Sequence, residues 1–247
     1  MYYSSKLNLD SISKIWNIDK DRCSRFIEYK KAEIRLLLKK KYVSPFQRRA
    51  EFICKVYDWK GESGNNYKVI IKVYGQKGLD MSVTYATTND SPRMYIVMPD
   101  EKVWVKAYTT HFFKRFAERF MKNTNANINE VIRVHCEQGN LDYNIWRSND
   151  ETRFAYATSA GLEFLFLEKG ATYPVVKTFI SLEILKTTQI KAYNMVKDII
   201  QEELNCLKDN ISLAEKLYII NSIRKGYNDD TELPKMISDI YNQYYED

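Results

Sequence analysis

The sequence predicts an α+β protein: a mostly antiparallel sheet with an amphipathic helix packed on it, a helical N-terminal arm and a helical C-terminal region. Three observations carry this expectation. Residues 50–109 hold about five successive β-type runs separated by turn residues. The stretch WVKAYTTHFFKRFAERFM passes from such a run into a clean 3.6-residue apolar period. The residues after Ser181 read as long helical segments. The expected partition is a basic helical arm at 1–45, an α+β core at 46–181 and a C-terminal helical region at 182–247, with a single domain left open.

Composition narrows the class. A chain of 247 residues can bury a substantial core. With 8 glycines and 5 prolines, long flexible linkers are not expected. The net charge of +6 permits a polyanion partner. Lys30, Lys31, Arg35, Lys39, Lys40, Lys41, Arg48 and Arg49 crowd the first fifty residues, whereas Glu202, Glu203, Asp229, Asp230, Glu232, Asp239, Glu246 and Asp247 make the end acidic. Cys23, Cys54, Cys136 and Cys206 are far apart and form no C-x-x-C pair, which fits thiols in a reducing compartment. The opening MYYSSKLNLD lacks the apolar core of a signal peptide, and no window approaches a transmembrane length. A cytoplasmic protein with no membrane partner is expected.

From about Leu9 to Tyr42 the chain reads as helical, with a short first segment holding Ile15 and Trp16 and a longer one that Asp19 would cap. Ser44-Pro45 ends it, because proline lacks an N–H and restricts the residue before it. EFICKVYDW and YKVIIKVY form a hairpin across GESGNN, and MSVTYAT, RMYIVM and KVWVKAY add three strands. Thr109 or Thr110 caps the next helix. There Phe112, Phe113, Phe116, Ala117, Phe120 and Met121 make an apolar side, opposite His111, Lys114, Arg115, Glu118 and Lys122, with Arg119 at the border. INEVIRVHCEQ is a second, shorter helix, in which Cys136 is expected as a small buried hydrophobe.

TRFAYATS, GLEFLFLEKG and YPVVKTFIS supply a second β block. LEILKTTQIKAYNMVKDIIQEELNCL then reads as one long helix. Ser212 and Glu215 have capping-box spacing ahead of a helix that stops at Gly226, and a last helix tolerates Pro234 in its first turn.

Chemistry concentrates on the His111 helix. Residues four and seven apart share a helix side, roughly 6 Å and 10 Å along the axis. His111, Arg115 and Glu118 therefore form a row, with Lys114, Arg119 and Lys122 nearby. Histidine can take or give a proton near neutral pH, and arginine can hold two phosphate oxygens and offset developing charge. A carboxylate can orient the arginine or act as a second acid–base group. In the first helical turn the helix dipole favours neutral imidazole and attracts phosphate. Such a row suits phosphodiester cleavage with no metal or other cofactor. It is equally the polar side that any amphipathic helix must have, with Arg115 and Glu118 as an ordinary pair. His135, Cys136 and Glu137 are adjacent, yet H-E-x-x-H and C-x-x-C are absent, as are a Walker loop, G-x-G-x-x-G and G-x-S-x-G.

The pattern H-x-x-x-R-x-x-E-R, carried by His111, Arg115, Glu118 and Arg119 just after a strand, resembles that of bacterial and phage domains of the DUF4258 type. These are grouped with the RelE/barnase-like ribonuclease folds of toxin systems. A later VV-x-T strand accompanies it in those domains, and Val175, Val176 and Thr178 stand in that place. The resemblance covers about residues 103–181. It implies a metal-independent, toxin-like endoribonuclease in which His111 and Arg115 are the principal catalytic residues. Thr178 would be an accessory; beside the resemblance, the row itself adds Glu118 as a catalytic group that orients or protonates, and Arg119, Lys114 and Lys122 as substrate-binding cations. The rival reading is a non-enzymatic nucleic-acid-binding or assembly protein of bacterial or phage origin. RNA or another polyanion is the expected partner, alongside a protein partner or self-association.

Overall fold

The computed structural model describes residues 9–49, 51–75, 80–88, 91–97, 106–138, 143–168, 173–209 and 211–245. It is an α+β chain with mostly antiparallel strands. The early part of the expected KVWVKAY strand lies outside the described residues, as do Glu246 and Asp247. The chain divides into two compact units. One gathers the described residues of 1–110, 126–137 and 169–175; the other gathers those of 111–125, 138–168 and 176–247.

In the first unit, α1 (Leu9–Lys41) is one unbroken helix, not the short and long pair expected. Trp16, Cys23, Ile27, Ile34 and Leu38 are buried at steps of seven and four, the spacing of a single helical stripe. Asp19 is buried within the helix instead of opening it. Its carboxylate accepts from the Ser63 N–H at 3.0 Å, from the Tyr67 hydroxyl at 2.7 Å and from the Ser63 hydroxyl. It therefore holds the loop between β1 (Phe52–Lys60) and β2 (Asn66–Tyr74). After the short α2 (Pro45–Arg49), the strands β1, β2, β3 (Met81–Thr88), β4 (Ser91–Val97) and β5 (Ala107–Thr109) pair in chain order, each antiparallel to the last. The meander read from the sequence is present. Later in the chain, α4 (Ile128–Gln138) buries Val131, Ile132 and His135. Cys136 is only half-buried, with its Sγ 3.8 Å from the Tyr85 hydroxyl.

The second unit is a β sheet and its helices. β6 (Tyr143–Arg147), β7 (Arg153–Thr158), β8 (Gly161–Leu167) and β9 (Pro174–Ser181, from 176 onward in this unit) lie side by side in that order. The expected long helix after Ser181 is two: α5 (Leu182–Thr188) and α6 (Ile190–Lys208). The break has a local cause. Thr187 and Thr188 both turn their hydroxyls back to the Ile184 carbonyl at 2.9 Å, and Gln189 leaves the helical region at φ −139°, ψ 69°. α7 (Leu213–Asn228) opens on the expected capping box, with Ser212 accepting from the Glu215 N–H and Glu215 accepting from the Ser212 N–H. It runs through Gly226 rather than stopping there. α8 (Leu233–Tyr245) has Pro234 as its second residue.

The core of this unit joins Ala155, Ala157, Leu162, Phe164 and Ile180 of the sheet to Leu185, Met195, Val196, Ile199, Ile220, Ile237 and Tyr241 of α5–α8. Inside α6 and α7 the buried Glu203 and Lys216 meet as an ion pair at 2.9 Å. Among the described residues, no helix is long and apolar enough to cross a membrane.

Candidate active site

α3 (Thr110–Phe116) follows β5 directly and continues as a π-helical turn, Ala117–Met121. The apolar side does what its period predicts. Phe112, Phe113 and Phe116 are buried, and Phe116 packs 4.9 Å, centroid to centroid, from Phe179 of β9. Phe112 and Phe120 also approach that ring, at 6.2 and 6.5 Å. Edge-on and tilted aromatic contacts of this kind fix the rotation of the segment on the sheet. That rotation leaves His111 and Lys114 exposed and Arg115 and Glu118 half-buried.

His111, Arg115 and Glu118 meet in a line. Arg115 donates from Nε to His111 Nε2 at 3.4 Å, and its Nη1 lies 3.3 Å from Glu118 Oε2. With Nε2 accepting, the neutral imidazole carries its proton on Nδ1. Partial desolvation holds His111 below its ordinary pKa, and the Arg115 and Arg119 charges, with Lys114, push the same way against Glu118. Desolvation first, and the guanidinium second, thus favour the neutral ring, and the same guanidinium covers its lone pair.

The remaining expected site residues take other roles. Arg119 donates from Nη1 to the Phe179 carbonyl at 2.7 Å, and its guanidinium carbon sits 5.3 Å from the centre of the Tyr244 ring. Lys122 ends the π turn in the left-handed region, at φ 55°, and its ammonium lies 2.9 Å from Glu183 Oε2. Thr178 is 2% exposed, and its Oγ1 is sealed from solvent without a hydrogen bond to any described residue. Strand alternation puts Thr178 on the face of Ile180, which joins the α5–α8 core, while Phe179 turns to α3. The structure thus assembles His111, Arg115 and Glu118 and leaves Lys114 open beside them. It ties Arg119 and Lys122 into the scaffold and turns Thr178 away.

The basic N-terminal cluster is reduced in the same manner. Lys30 pairs with Glu33, Lys31 with Glu28 and Arg35 with Asp80, and Arg48 donates to the carbonyls of Tyr42 and Val43. Lys39 and Lys40 remain exposed at the end of α1. Burial pushes the Cys23 thiol up to about 11 and the Cys54 thiol up to about 12, so neither is a thiolate nucleophile. Among the described residues, no group of three or more His, Cys, Asp or Glu side chains is placed to hold a metal ion.

One feature of the second unit has no counterpart in the sequence reading. A cavity of about 660 Å³ opens between the β6–β7 turn, α7 and α8, with Arg153 and Arg224 among its lining. The two arginines come from distant segments, so no local spacing could join them. No protein-family model matches the chain, and no curated protein and no solved structure matches it either.

Proposed function

We propose that the chain is a metal-independent endoribonuclease with His111 as general base and Arg115 as the phosphate-binding, charge-offsetting group. The observation that carries this reading is the hydrogen bond from Arg115 to Nε2 of an exposed, neutral His111. An RNA phosphate would compete for the guanidinium and draw it off the ring, exposing the base as substrate arrives. Nε2 then takes the proton of a ribose 2′-hydroxyl, the 2′-oxygen bonds to phosphorus and the P–O5′ bond breaks. The leaving oxygen takes a proton from water, giving a 2′,3′-cyclic phosphate and a 5′-hydroxyl end. Glu118 keeps Arg115 on the row from its other side, and Lys114 offers a second cation to the backbone. The chemistry needs the 2′-hydroxyl, which restricts the substrate to RNA. Toxin-like action in a bacterial or phage setting belongs to this same proposal.

Incubation of a fluorescent RNA oligonucleotide with the purified protein in chelator tests the reading. Cleavage that stops with His111→Ala, and with a 2′-deoxy substitution at the scissile nucleotide, is the expected result. Intact RNA, or a His111→Ala protein that cleaves as fast as the parent, would overturn it.

A specific observation also favours the non-enzymatic reading. Lys39 and Lys40 are exposed beside the exposed Leu36 and Leu37 at the end of α1, a mixed surface that suits a polyanion or a protein partner. RNA that is bound in a steeply salt-dependent way but left intact, with binding lost on Lys39→Glu and Lys40→Glu, would favour this alternative.

A further inference from the structure

We infer that the cavity in the second unit is a binding site for a mononucleotide-sized phosphate monoester carrying a planar body. The volume of about 660 Å³ lies in the range of small-molecule sites. Its charge is unusual. Arg224 lines the cavity with Nε shut off from solvent, and it makes no hydrogen bond or ion pair with a described residue. Arg153, on the same lining, stacks 5.5 Å from the Tyr241 ring centre and reaches only the neutral Asn242 side chain, at 3.4 Å. Arg153 is exposed and Arg224 half-buried; shutting the Arg224 Nε off without an acceptor is costly, and an anion in the cavity would satisfy it while also meeting Arg153.

Of the carboxylates nearby, Asp150 lines the same cavity and interacts with the Arg153 charge, and none of them pairs with Arg224. Asp150 is occupied within the β6–β7 turn, accepting from Ser148 and Thr152, and Glu151 pairs with Arg147 at 3.1 Å. Asp230 and Glu232 both hold Lys191, at 2.9 and 2.6 Å. Leu233 and Pro234, also on the lining, begin α8, so the positive end of that thirteen-residue helix adds to the same potential. The rest of the wall is of a different kind. Trp146, half-buried and backed by the buried Leu233 and Ile237, offers an aromatic surface, on which a flat ring can stack while its phosphate meets the arginine forks. This site shares no residue with the His111 row and stands whether or not that row cleaves RNA.

Calorimetric titration of the full chain with adenosine monophosphate, inorganic phosphate and adenosine tests the inference. The nucleotide is expected to bind most tightly, phosphate more weakly and the uncharged nucleoside not detectably, with affinity falling as salt rises. Arg224→Met is expected to weaken nucleotide binding roughly 10- to 100-fold. Arg153→Met serves as the second variant should the first fail to fold by circular dichroism. Absence of binding by any of the four common ribonucleoside monophosphates at millimolar concentration would overturn the proposal. So would unchanged affinity in a folded arginine variant. Phosphate binding as tightly as the nucleotide would overturn the role given to Trp146 and its neighbours.

Discussion

Lys216 of α7 donates to Glu203 of α6 at 2.9 Å, with only 8% and 7% of the two side chains exposed. Two opposite charges removed from water in this way hold each other in place, and neither tolerates the loss of its partner. Glu203→Leu or Lys216→Met alone is expected to lower stability by about 3–5 kcal/mol, while the double variant recovers most of that loss. Urea unfolding of the four proteins in a double-mutant cycle measures the coupling; equal losses in the single and double variants would contradict it.

Asp19 supports a second prediction. Its carboxylate satisfies the Ser63 backbone N–H and the Tyr67 hydroxyl inside a closed site. Asp19→Ala strands both donors and is expected to cost about 2–4 kcal/mol. Hydrogen exchange should quicken first in the β1–β2 loop, and uniform exchange across the first unit would argue against a local anchor.

Arg115 and Arg119 are four residues apart yet engaged differently. Arg115→Ala should slow RNA cleavage about 100-fold or more with little change in unfolding midpoint. Arg119→Ala removes the bond to the Phe179 carbonyl and the stacking on Tyr244, so it should instead lower stability by about 1–3 kcal/mol. A reversed pattern would exchange the roles assigned to them.

The depressed pKa of His111 fixes the sign of two pH effects. Cleavage by a neutral base should persist to a pH below the ordinary histidine value of about 6.5. Arg115→Met removes a lowering charge and should move the acid limb upward. For stability, the unfolded chain binds the proton more readily than the folded one. The contribution is therefore present above about pH 6.5 and is lost as pH falls through that value toward the folded pKa. The chain holds only two histidines, so proton NMR titration with His111→Ala as the assignment control reads the shift directly.

Gly161 marks a backbone contact that admits no side chain. At φ 153° an added Cβ would lie 2.0 Å from the Ile180 carbonyl oxygen, forcing β8 and β9 to part. Gly161→Ala is expected to cost at least about 2 kcal/mol, or to prevent folding. A variant with an unchanged thermal midpoint would show that the strands can shift freely.

Much of the architecture was legible because it rests on local periodicity. Alternation marked β1 and β2, the 3.6-residue spacing of phenylalanines marked the face that meets Phe179, and Ser212 with Glu215 marked the start of α7. What escaped depended on partners distant in the chain. Asp19 looked like a helix cap because Ser63 and Tyr67 cannot be seen from its neighbours. β6 was missed because it is short and its register shifts between Asn144 and Trp146, which spoils the alternation. Within the candidate site, the His111–Arg115–Glu118 row was readable because it is helical spacing alone. The burial of Thr178 and the capture of Arg119 by a strand carbonyl were not readable, since both are decided by the sheet.

The π turn at Ala117–Met121 has a consequence for how this segment could change over time. In a regular helix Arg115 and Arg119 would project along one line, and here they part, one toward the imidazole and the other toward β9. The turn closes five residues back, with the Lys122 N–H reaching the Ala117 carbonyl, so it holds one residue more than an α turn needs. Loss of a single codon there would remove the residue that the wide turn absorbs, and closing the helix normally would bring Arg119 one place nearer Arg115. Such a deletion would move Arg119 from its place at the Phe179 carbonyl, so this short stretch should accept substitutions more readily than changes in length.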